Sequence, residues 1–167
     1  MTVFRTATLV AATLATGLGA GLFYGYACSV MPGLARSSDR TFVEAMQRIN
    51  VAILNGWFAL SFGGAILLIV LAAVLQYRSG GGAALGWIVA AGALQLALLV
   101  VTMAVNVPLN NRLAAGGDAA GAADLATLRA EFEQVWVRWN VLRALAGAAA
   151  LGCLAWALVL VGRTGRA

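Results

Sequence analysis

Between residues 129 and 143 the chain carries Arg129, Phe132, Trp136, Trp139 or Asn140, and Arg143 at three- and four-residue spacing, which sets them along one stripe of a helix. Indole rings offer flat faces for stacking, amides supply hydrogen bonds, and an arginine in apolar surroundings can hold a developing oxyanion. Gln47 and Asn50 add amides from an earlier segment, and Asn106, Asn110 and Asn111 add three more from a middle one. Glu44 and Glu133 are the carboxylates near enough in sequence to take a proton, and spacing alone does not choose between them. Arg143 stands at the start of an apolar run, where an ionised group is costly and implies a partner or a function. The same argument is weaker for the tryptophans, since Trp at a membrane boundary commonly serves as an anchor.

The elements that must position these residues follow from where charge is missing. No charged residue falls in 6–35, 49–77, 79–111 or 144–162, although the chain has 11 basic and 6 acidic residues. Each run contains, or nearly contains, the roughly 20 apolar residues that a helix needs to cross the hydrocarbon layer. With 62% hydrophobic residues, 10% charged and a mean hydropathy of +0.91, four such helices have almost no polar face left for water. The expected fold is all-α: a left-handed integral-membrane four-helix bundle, one domain over 1–167, with spans near 6–31, 57–76, 83–105 and 141–162 and helical extensions on one membrane face. The opening apolar stretch runs on too far for a signal peptide and is read as the first span.

Local signals refine this outline. Gly17, Gly21 and Gly25 form a small-residue stripe expected to pack closely against another helix. Pro32-Gly33 should end the first helix; Ser38 or Asp39 should cap a second, partly polar one over 40–54, with Glu44 and Arg48 as an i,i+4 pair. Asn55-Gly56 marks a bend, Trp57 an interfacial anchor, and 77–82 a flexible turn. The third span should stop near Asn106-Val107-Pro108, 114–123 should be the most mobile stretch, and a last helix should cover 123–161.

Composition also excludes functions. With no histidine, haem ligation through imidazole, Ser-His-Asp catalysis and the facial triad of non-haem iron are ruled out. Cys28 and Cys153 lie inside predicted spans and read as small packing residues, so neither a disulfide nor a metal site is expected. Every basic residue is Arg, the net charge is +5 and the pI is near 10.2, but no cluster of arginines with interleaved aromatics accompanies them. Membrane lipid is therefore the expected partner rather than nucleic acid, and the sequence leaves room for a homo-oligomer. The Ala-, Gly- and Arg-rich composition suits a bacterial cell membrane, with both termini expected in the cytoplasm.

Four motifs recur in one order: Gly21-Leu22-Phe23-Tyr24 through Met31-Pro32, Met46-Gln47-Arg48-Ile49-Asn50, Asn106-Val107-Pro108-Leu109-Asn110, and Trp136-Val137-Arg138-Trp139-Asn140 with Arg143. In these the chain resembles, over nearly its full length, the anthrone oxygenase-like family of small four-helix membrane proteins. It departs from the family's usual Asn-Pro by placing Gly56 after Asn55. The resemblance implies oxygen-dependent oxidation of a lipophilic aromatic molecule, an anthrone in the fungal relatives; because the deprotonated anthrone can itself pass an electron to dioxygen, no cofactor is expected. On physical grounds Trp136 and Trp139 can stack on a flat ring system, Arg143 with Asn140 can hold an oxyanion in a pocket that Asn106 also reaches, Glu44 or Glu133 can act as base, and Tyr24, Gln47, Asn50 and Asn110 are expected to contact the substrate. Two other classes stand beside this one. A non-enzymatic binding or assembly protein would have the same bundle without an enclosed polar cavity. A transporter is disfavoured because the spans show neither an internal repeat nor broken helices.

Overall fold

A computed structural model describes residues 2–116 and 122–164. The described chain is helical with short connections: α1 (Thr2–Gly25), a π turn (Tyr26–Val30) and α2 (Met31–Leu34) form one rod, followed by α3 (Asp39–Ala52) and α4 (Gly56–Arg78). A second rod consists of α5 (Gly82–Val101), a π turn (Thr102–Asn106) and α6 (Val107–Ala115), and α7 (Ala122–Thr164) completes the fold. Four helical stretches are long and apolar enough to cross a membrane: Val3–Leu34, Gly56–Arg78, Gly82–Ala115 and Asp124–Arg163. The protein is an all-α membrane bundle in which α1 packs on α4 and α7, and α5 packs on the same two.

The 43 residues of α7 span about 65 Å, roughly twice the hydrocarbon thickness, so its N-terminal half must extend beyond the lipid core. That half is covered by α3, whose Phe42, Val43 and Met46 are buried against Leu125, Phe132 and Trp136. Deeper in the bundle Leu9, Ile69, Ile88 and Leu154 form an apolar core, and Phe23, Phe62, Leu98 and Ala144 lie in a third cluster.

Local chemistry explains the joints. Ser38 accepts a hydrogen bond from the Thr41 amide at 3.2 Å and Asn55 one from the Phe58 amide at 3.0 Å, capping α3 and α4. Between α4 and α5 the chain reverses through Gly80, Gly81 and Gly82, all at positive φ, and Gln76 donates to the Gly81 carbonyl. Arg129 ties the 35–39 link to α7: it donates to the carbonyls of Ala35 and Ser37 and to the carboxylates of Asp39 and Glu133, and its guanidinium lies 4.7 Å from the Phe42 ring centre.

Several expectations are corrected. The first rod stops at Leu34, next to the expected Pro32-Gly33 end, but Pro108 does not end its helix, which runs on to Ala115. In each case the chain widens into a π turn just before the proline, with the Met31 and Val107 amides donating five residues back to Tyr26 and Thr102, and helix then continues. Proline lacks the amide that an α turn would need, and the wider turn absorbs that gap. The glycine stripe does not mark a close contact along its length: a methyl group added at Gly21 or Gly25 would meet nothing within 4 Å. The tight approach is at Gly147 of α7, where it would sit 3.0 Å from the Ala20 Cβ. Glu44 pairs with Arg40 at 3.4 Å, one turn before it, rather than with Arg48. Half of the stretch expected to be mobile, 117–121 of 114–123, lies outside the described residues.

Candidate functional site

Where the end of α1 and its π turn, the second π turn with α6, and α7 come together beneath α3, they border a chamber of about 240 Å³. Arg143 forms its polar wall. The side chain is 5% exposed, donates from Nη2 to the Asn140 Oδ1 at 3.1 Å and from Nη1 to the Thr102 hydroxyl at 3.4 Å, and leaves its buried Nε without a partner. Its guanidinium carbon lies 4.4 Å from the Phe23 ring centre and 5.4 Å from that of Trp136. Both hydrogen-bond partners are neutral, so the charge is held by amide and hydroxyl dipoles and aromatic faces.

The remaining wall is built from amides. Asn140 donates to the Phe23 carbonyl at 3.0 Å, which fixes its oxygen toward Arg143. Asn106 is 1% exposed; its Nδ2 reaches the Trp136 carbonyl at 3.5 Å while its Oδ1 is unpaired. Asn110 accepts from the Trp136 indole at 2.9 Å, which sets the ring's angle rather than capping backbone near Pro108. From α3, Gln47 donates to the Leu113 carbonyl at 2.8 Å, and Asn50, which also lines the chamber, has a buried Nδ2 without a partner. Among the residues lining this one small space, an acceptor and two donors are thus buried without a protein partner.

The structure brings together Arg143, Asn140, Asn106, Trp136, Asn110, Gln47 and Asn50, and it places four other selected residues elsewhere. Trp139 is on the far side of α7, 37% exposed and outside the chamber lining. Tyr24 is exposed, whereas Tyr26 lines the chamber and its ring lies 5.6 Å from that of Trp136. Glu44 sits on the exposed face of α3 beside Arg40, and Glu133 is bound to Arg129 and lines a separate surface cavity. Neither carboxylate faces the chamber. Sequence reasoning missed Tyr26, Thr102 and Phe23. Among the described residues no group of three or more His, Cys, Asp or Glu side chains could hold a metal ion.

The anthrone oxygenase family matches residues 56–153, more than half of the chain. The chain belongs to that family. A search of curated proteins and of solved structures gave no match. The match covers α4, α5, α6 and most of α7, and hence Asn106, Asn110, Trp136, Asn140 and Arg143; it is shorter than the nearly full-length likeness the motifs suggested, and it leaves out Gln47 and Asn50.

Asn50, outside the matched residues but lining the chamber, also belongs to an internal repeat. Phe42-x-x-x-Met46-x-Arg48-x-Asn50-Val51 in α3 has its counterpart in Phe132-x-x-x-Trp136-x-Arg138-x-Asn140-Val141 in α7. The two π turns repeat as well, each one residue short of Met31-Pro32 or Val107-Pro108. Equivalent positions meet: Phe42 and Phe132 touch edge to face at 6.1 Å, and Asp39 pairs with Arg129 at 3.0 Å. The sequence repeat joins α3, which is not a span, to the outer half of α7, and the chain stays helical through both π turns.

Proposed function

We propose that this chain is a membrane-embedded oxygenase that binds a lipophilic, oxygenated aromatic molecule of the anthrone type and oxidises it with dioxygen, without a resident cofactor. The observation that carries the reading is Arg143: a buried guanidinium with neutral partners and an unpaired Nε, facing a chamber also bordered by Asn106, Asn140 and Trp136. Such a cation suits an oxygen that becomes negative during reaction better than one that stays neutral.

The substrate supplies the reducing electrons. Loss of a carbon-bound proton from an anthrone CH₂ gives an anion delocalised onto the ring oxygen, where Arg143 holds it. Transfer of an electron from this anion to dioxygen and recombination form a carbon–oxygen bond, giving a peroxide anion; protonation and loss of water leave a carbonyl. One oxygen atom of O₂ ends in the product and the other in water. With no carboxylate among the described residues that line the chamber, the proton leaves to water at the mouth formed by the exposed residues Val51, Leu54, Asn111 and Ala114. Four spans put both termini on one face, which we read as cytoplasmic.

Oxygen uptake by purified protein with an anthrone as substrate tests this. Arg143→Gln should lower turnover about 100-fold or more with the bundle still folded. Full turnover in the folded variant would reject Arg143 as the oxyanion group.

A further inference from the structure

The chamber of about 240 Å³ lies below the roughly 300–1,000 Å³ of pockets that enclose a whole drug-sized ligand. It has room for a head group. Beside it, a second cavity of about 660 Å³ runs between α1 and the start of α4, and Leu22, Ile53 and Phe58 line both. Along α1 this groove extends from Ala11 to Leu22, about 17 Å at the helical rise. Its lining is apolar apart from Asn55 and Ser61, and Leu14, Leu18 and Leu60 are more than half exposed on the face that the bilayer must cover.

We propose that the ligand is an amphiphile, a phenolic or anthrone-like head carrying a hydrocarbon tail, whose tail lies in the α1–α4 groove and whose head reaches the chamber from within the bilayer, past Phe58. The inference rests on the reading of the chamber as the head site. Phe58 is placed for this role because it borders both cavities and stacks on Phe62 at 5.0 Å, while Phe62 meets Phe23, the ring beneath Arg143. Lipid is as apolar as the groove, so a tail gains no hydrophobic energy by leaving one for the other; the groove contributes shape and a route.

The test uses the full chain in phosphatidylcholine nanodiscs and 4-dodecylphenol carrying a photoreactive diazirine at mid-tail. Irradiation followed by peptide mapping should place label on Leu14, Leu18 and Leu60, and excess unlabelled 4-dodecylphenol should remove it. A dodecyl diazirine without the phenol should label all lipid faces alike. Filling the groove by Leu18→Trp, or independently by Leu14→Trp, should weaken competition by 4-dodecylphenol about tenfold while leaving competition by phenol unchanged. Even labelling by the phenolic probe, or no change in either tryptophan variant while Arg143→Gln loses both ligands, would overturn the groove. Groove labelling that survives Arg143→Gln unchanged would instead overturn the chamber as the head site.

Discussion

Asn140 does two jobs with one amide, and both are needed for Arg143 to keep its position. Its Nδ2 is used by the Phe23 carbonyl, so its Oδ1 must face the guanidinium; Asn110 orients Trp136 in a similar way through the indole N–H. Asn140→Leu should therefore remove an acceptor from a buried charge as well as an interhelical bond. We expect a loss of about 1 kcal/mol in stability, measured by thermal unfolding in detergent, together with loss of turnover close to that of Arg143→Gln. Asn140→Leu with wild-type turnover would mean that Arg143 needs no such support. At this scale the 3,4-spacing on the last helix was legible, but it left Trp139 and Asn140 as alternatives. They are neighbours on the helix, about 100° apart, and only the packing of α7 against α1 decides that the amide points in.

Among the elements, the π turns matter most. Each adds a residue to its turn and so rotates everything before it relative to everything after; Tyr24 lies before the first π turn and Tyr26 opens it, and their two-residue spacing, about 200° around a helix, puts Tyr26 in the chamber while Tyr24, chosen by motif, faces out. A proline in the sequence signals an interruption, and helix termination is the commoner outcome; continuation through a wider turn depends on neighbours that hold the far segment in line. The glycines carry the same lesson, because spacing makes a smooth stripe but does not say what lies opposite. Gly147→Val should force α7 away from Ala20 and destabilise the bundle by about 1–3 kcal/mol, whereas Gly21→Leu should leave the melting temperature unchanged. Equal effects of the two substitutions on thermal unfolding would contradict this assignment of the close contact.

At the scale of the whole molecule, four apolar helical stretches require the two ends of the chain to share a membrane face. Reporter fusions at residues 1 and 167 should agree in location, and opposite locations would remove one span from the fold. The all-α membrane architecture was written in the sequence, since long charge-free runs have only one way to satisfy their backbone in lipid, and the caps at Ser38 and Asn55 were equally local. The repeat relating Asn50 to Asn140 was also present in the residues, but it became visible once Phe42 and Phe132 were seen to meet. Tertiary structure alone decided which polar groups share a space: it drew Asn50, Asn106, Asn140 and Arg143 to one chamber, with Trp136 as its aromatic wall, and turned Glu44, Glu133, Tyr24 and Trp139 away from it. The physical reason is that hydrophobicity fixes which segments enter the membrane, whereas the rotation of each helix about its axis is fixed by side chains on its neighbours, and a periodic pattern on one helix carries no record of them.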